Sequence, residues 1–172
     1  FSNPLYTDEE FRLECLQAYN DFQIDEWATP YPGRFITLAI APLWDVEKAV
    51  GELWRMKKRG IHGISFAFPQ QFGYPHIADR CWDPLWEAAA EADLPLNLHI
   101  GSGGSMGIAM EAPPGQPQFI NLAQRSTGAI SANVQVMTAV LFSGILERFP
   151  KLKVVSSESG LGWVPYLLEL AD

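Results

Sequence analysis

The 172-residue sequence predicts an α/β protein: a partial (β/α)8 TIM barrel of about four parallel strands with helices between them. Three observations point there. Four short apolar runs rich in β-branched and aliphatic residues recur along the chain, each pair is separated by a helical pattern, and each run ends in a Pro- or Gly-containing loop. Strands joined by helices pair in parallel, because a parallel connection needs a crossover of a dozen residues or more. A complete eight-stranded barrel takes about 250 residues, so this length accommodates roughly half of one. An open doubly wound sheet of four or five strands is the alternative, and the half barrel is preferred.

The elements follow in order. Thr7 is placed to cap a first helix, with Asp8, Glu9 and Glu10 in the first turn where the helix dipole favours negative charge. Phe11, Cys15 and Tyr19 recur at helical spacing, and the pattern fades near Trp27. After Pro30, Pro32 and Gly33, residues Phe35 to Ile40 read as a buried strand stopped by Pro42. Asp45 suits the cap of a helix through Arg59, with Val46, Ala49, Val50, Leu53 and Trp54 as its apolar stripe. IHGISFAFP is the second strand, Asp83 to Ala92 a helix, PLNLHIG the third strand, Ile120 to Phe149 a long helix, LKVVSSESG the fourth strand and Trp163 to Asp172 a closing helix. Residues 1–172 are read as one partial domain, an excerpt of a longer chain that begins without Met.

Composition removes several function classes. Twenty acidic against twelve basic side chains give a formal charge of −8 with no basic stripe, which opposes binding to a phosphate backbone and argues against nucleic acid. The uncharged run from Ser126 to Leu146 is long enough to raise a membrane span of roughly 20 residues, but seven Ser, Thr, Asn and Gln residues interrupt it, so a buried helix is expected and no membrane contact. Cys15 and Cys81 lie far apart and lack Cys-x-x-Cys spacing, fitting a reduced, cytoplasmic chain.

The candidate chemistry gathers where strands end. His99 closes the third strand directly before the glycine-rich GSGGSMG, and side chains at C-terminal strand ends face the ligand crevice in parallel α/β folds. A lone histidine on an apolar strand is ordinarily a packed residue; its position is what recommends it as a metal ligand. Glu158, after the fourth strand, is the candidate general base or metal partner, with a solvated loop acid as the bland alternative. Phe68 and Gln70 after the second strand and Ser102 after the third are candidate substrate contacts for a small planar or carboxylated molecule. His62 sits at the opposite end of the strands and reads as structural. The glycine loop lacks both a Walker lysine and G-x-G-x-x-G spacing, so a nucleotide is not expected. No G-x-S-x-G elbow, His-x-His pair or cysteine cluster is present.

Three blocks, RFITLAIAPLWDVEKAVGELWRMKKRGIHGISF, WDPLWEAAAEADLPLNLHIGSGG and LFSGILERFPKLKVVSSESGLGWVPYLLELAD, together resemble the amidohydrolase-related family of metal-dependent TIM-barrel enzymes, the aminocarboxymuconate-semialdehyde decarboxylase-like group. The resemblance covers almost the whole chain and corresponds to strands two to five of the family barrel. It implies a hydrolase or nonoxidative decarboxylase with a divalent metal, usually zinc or else manganese, and it assigns His99 to the family's middle-strand metal ligand. The family's first-strand His-x-His and last-strand aspartate have no counterpart here, and Glu158 or Ser159 stands where many relatives carry a histidine used in proton transfer. A catalytically silent binding or assembly module is the alternative reading. An exposed half barrel is expected to associate with a second copy or with missing barrel segments, because two strand edges would lack partners.

Overall fold

The computed structural model describes residues 8–99, 119 and 134–171. Helix α1 (Glu9–Phe22) continues into a π-helical turn (Gln23–Ala28) and leads to β1 (Leu38–Ile40). Then come α2 (Val46–Lys58), β2 (Gly63–Phe66), two 3-10 turns (Pro69–Phe72 and Arg80–Trp82), α3 (Asp83–Glu91) and β3 (Leu96–His99). Helical residues 134–141 (α4), α5 (Ile145–Arg148), β4 (Val154–Ser157) and α6 (Trp163–Ala171) complete the order.

All four strands are parallel and lie side by side in sequence order, β1-β2-β3-β4. That order decides between the two expected architectures. A doubly wound sheet reverses its strand order at a switch point, whereas a barrel adds each strand beside the last. The register aligns Ala39, Ile64, Leu96 and Val154 across the sheet, and two residues further on Phe66, Leu98 and Ser156. This face carries the core. Phe66 packs edge-on against Trp86 and Trp82, with ring centroids 5.1 and 6.1 Å away, and Ala49, Leu53 and Met56 of α2 join the same buried cluster. The other face carries Ile40, Ser65, Asn97 and Val155 in one row and His99 beside Ser157 in the next, so it becomes polar toward the C-terminal strand ends.

Four sequence expectations are corrected. The cap of α1 is Asp8, whose Oδ1 accepts the Phe11 N–H at 3.0 Å. β1 is shorter than Phe35 to Ile40, because Phe35 turns away to contact Trp27 and Tyr31 and Ile36 stays exposed. Within the long helix expected from Ile120, the chain breaks after residue 141: Gly144 takes a φ of +71°, which interrupts the ladder and restarts it as α5. Part of that expected helix lies outside the described residues.

The fourth correction concerns the free edge of β1. Asn20, fully buried on α1, accepts the Ile40 N–H at 2.9 Å and donates to the Ile40 carbonyl at 3.0 Å, as a neighbouring strand would. Gln23 donates to the Leu38 carbonyl at 3.1 Å. Buried Glu52 fixes Asn20 in turn, accepting its amide at 2.8 Å while Arg55 and Gln17 saturate the carboxylate. One of the two edges expected to be open is therefore closed by side chains from α1 and the π-helical turn that follows it.

Candidate functional site

Parallel pairing aligns the C-terminal ends of β3 and β4, with His99 opposite Ser157. One residue past β4, the backbone of Glu158 turns into the left-handed region at φ 59° and brings its carboxylate back over the sheet. The result is direct contact: His99 Nε2 and Glu158 Oε2 are 2.7 Å apart, the ring N–H donating to the carboxylate. Both side chains are open to solvent, 43% and 75% exposed, so the pair lies at the sheet's mouth and not in its core.

The supports beneath the pair are backbone-anchored. Asn97, two residues before His99 on the same face, donates to the carbonyls of Ile64 at 3.3 Å and Pro95 at 3.1 Å, tying β3 to β2. It can do so because Gly63 leaves room: a Cβ there would stand 2.8 Å from Asn97 Nδ2. Beside Glu158, the hydroxyls of Ser156 and buried Ser159 bond at 2.6 Å, and Trp163 Nε1 donates to the Gly160 carbonyl at 3.0 Å.

The other candidates fall as follows. Phe68 is half-buried against the core cluster, and Gln70 Oε1 accepts the Ile77 N–H at 3.2 Å, which turns it toward its own loop. Ser102 lies outside the described residues. The chain's two other histidines lie elsewhere: His76 Nδ1 accepts the Ala78 N–H, and His62, read as structural, contacts Thr37 at 3.4 Å at the far end of the sheet, so neither joins His99. Ser157, at the end of the fourth strand, adjoins His99 by register. One feature escaped the sequence reading. Arg12, 6% exposed, stacks its guanidinium 3.9 Å above Trp44 after β1 and bonds Tyr74 Oη at 3.2 Å. A helix-borne arginine gives no sequence sign of such a place.

His99 and Glu158 offer one imidazole and one carboxylate, donors that suit zinc or manganese. Among the described residues no group of three or more His, Cys, Asp and Glu forms a metal cluster. By themselves these two donors do not make up a metal site.

Residues 7–172 match the amidohydrolase family along nearly their whole length. The chain belongs to this family. Among curated relatives it is 27% identical to the decarboxylase orsB of Emericella nidulans, over 92% of this chain and 48% of that protein. It is 26% identical to 2-keto-4-carboxy-3-hexenedioate hydratase of a Sphingobium species, over 95% of this chain and 45% of that protein. It thus spans about half the length of the curated relatives it matches. Among solved structures it superposes with a TM-score of 0.68 and 20% identity on 5-carboxyvanillate decarboxylase of Novosphingobium aromaticivorans, bound to manganese and 3-methoxy-4-hydroxy-5-nitrobenzoic acid, covering 97% of this chain and 45% of that one. The fold shared by this family member is a partial TIM barrel, as the strand order indicates.

Proposed function

We propose that this chain forms strands two to five of a metal-dependent amidohydrolase-family barrel that cleaves a small aromatic or carboxylated substrate, by nonoxidative decarboxylation or by hydrolysis. The observation that carries the reading is the 2.7 Å contact between His99 Nε2 and Glu158 Oε2 at the C-terminal mouth of a parallel sheet. The decarboxylase among the curated relatives and the manganese and aromatic carboxylate of the solved decarboxylase support the same class.

His99 would hold the metal, manganese or zinc, with ligands beyond the described residues. When bound, a divalent ion supplies Lewis acidity toward water and a substrate oxygen at neutral pH. The rest follows from this chain's groups. Glu158 Oε2 already accepts a proton-bearing nitrogen, so it is placed to take a proton from water, or to return one to the substrate carbon that loses carboxylate. Ser65 and Ser157 are small side chains on the sheet face that carries His99, against which a flat ring would lie. Nε2 can hold a metal only without its hydrogen, so His99 would carry its proton on Nδ1 and exchange the Nε2 contact with Glu158 for the ion.

The setting is a reducing cytoplasm, in keeping with the free thiols Cys15 and Cys81. The partners are a small substrate and, at the β4 edge, a second copy or further barrel strands, because β4 is the last strand of the sheet among the described residues while β1 is closed by Asn20 and Gln23. Among the described residues no helix is long and apolar enough to cross a membrane. The test expresses the protein from its natural open reading frame, loads it with Mn2+ or Zn2+, and follows carbon dioxide release from a panel of hydroxybenzoates and unsaturated dicarboxylates. Turnover lost in His99→Ala and Glu158→Gln supports the reading. Turnover unchanged in both overturns it, and a protein without metal or turnover favours the silent binding module.

A further inference from the structure

Glu158 has two features that work against its place beside His99. Its backbone occupies the left-handed region, φ 59°, which costs a residue bearing a Cβ. Its side chain is 75% exposed and has three rotatable bonds, so the hydrogen bond with His99, open to water, contributes too little to hold it in one geometry. Something else must fix the turn.

We propose that the hydroxyl bridge between Ser156 and Ser159 holds Glu158 against His99, which makes these two serines positioning residues. This rests on the function proposed above. The two hydroxyls, 2.6 Å apart, close a short loop across Ser157 and Glu158 and so restrict the torsions of the residue between them. Ser159 is 3% exposed, which removes water as a competing partner for its hydroxyl. Ser156 sits opposite Leu98 in the ladder, one residue before His99, so the bridge refers the position of the carboxylate to the strand that carries the imidazole. On the far side, the Trp163 indole holds the Gly160 carbonyl at 3.0 Å and limits how the turn can open. The device explains why an acid can work at a solvent-exposed turn: its backbone is held from the buried side while its carboxylate faces the mouth.

The test is a mutant cycle read by 15N NMR of the His99 ring nitrogens in the full chain, with Glu158→Gln as the reference for a lost carboxylate. Ser156→Ala and Ser159→Ala should each move the Nε2 resonance most of the way to its position in Glu158→Gln, Ser156→Thr should restore it, and neither alanine should move it further in the Glu158→Gln background. Unfolding midpoints check that each variant is folded, and the two serines are tested separately so that one unstable variant does not decide the outcome. If Glu158→Gln shifts the resonance but the serine variants leave it as in the wild type, the bridge is only local packing and the proposal fails while the site stands. If Glu158→Gln itself causes no shift, the contact is absent in solution and both readings fall.

Discussion

Replacing Asn20 by Ala is the sharpest test of how the half barrel closes its first edge. Asn20 is fully buried, and its carboxamide makes three hydrogen bonds of 2.8 to 3.0 Å to the Ile40 N–H, the Ile40 carbonyl and Glu52. Glu52 Oε1 retains Arg55 Nη2 at 2.8 Å, so its loss is partial. The two Ile40 groups lose the partner described for them, at about 1–3 kcal/mol each, less where water reaches the vacated edge. Adding the void left by the amide gives an expected loss of about 3–5 kcal/mol. Asn20→Leu fills the void but restores no hydrogen bond, so it separates the two contributions and should still lose about 2–4 kcal/mol. Gln23→Ala, which removes one bond to the Leu38 carbonyl, should cost only about 1 kcal/mol. Urea unfolding with a two-state fit measures all three. A loss below about 1 kcal/mol for Asn20→Ala, or full recovery in Asn20→Leu, would refute the view that side chains stand in for a strand.

Three further outcomes follow from named contacts. Gly63→Ala places a Cβ 2.8 Å from Asn97 Nδ2 and 3.1 Å from the Pro95 carbonyl, so it should cost about 1–3 kcal/mol in the same unfolding assay; a neutral result would show that Asn97 is not tied down. The Cys81 thiol is pushed up to about 11 by partial desolvation and then by Asp79, so thiol reagents at neutral pH should modify it about tenfold more slowly than an ordinary cysteine, the smaller thiolate fraction being partly offset by its greater nucleophilicity, and Asp79→Asn should recover part of the rate. Asp93, hydrogen-bonded to Lys153 at 2.6 Å, is held below the ordinary carboxylate range. Its contribution is therefore present above the unfolded-state pKa and lost as pH falls through the folded one. An NMR titration should place the Asp93 midpoint low and return it to the ordinary range in Lys153→Ala; an unmoved midpoint contradicts the pairing.

The architecture was largely legible because parallel strands buried on one face read as apolar runs and the helices between them carry caps and stripes. Asp45 caps α2 as its place predicts, accepting the Lys48 N–H at 3.0 Å. Boundaries were less legible where tertiary contacts overrule local preference. Phe35 and Ile36 have strand chemistry, yet the aromatic contacts with Trp27 and Tyr31 hold Phe35 outside the sheet. Residues 134–148 carry an unbroken apolar pattern, and only the positive φ of Gly144 marks the break. At the site, His99 was visible as a histidine ending a strand, and its meeting with Glu158 followed from aligning strand ends. What one sequence could not convey was the left-handed turn that aims Glu158, the serine bridge behind it, or the place of Asn20, a polar residue on a helix whose role is defined by a strand distant in sequence.

The central claim is that His99 is a ligand of a divalent metal in a family barrel with Glu158 beside it. Its most direct test is the metal content of the protein expressed from the natural open reading frame, purified without chelator and measured by plasma mass spectrometry beside His99→Ala and Glu158→Gln. The account predicts near-stoichiometric manganese or zinc in the wild type, largely lost in His99→Ala and retained at least in part in Glu158→Gln. Metal held equally well without His99 would contradict it.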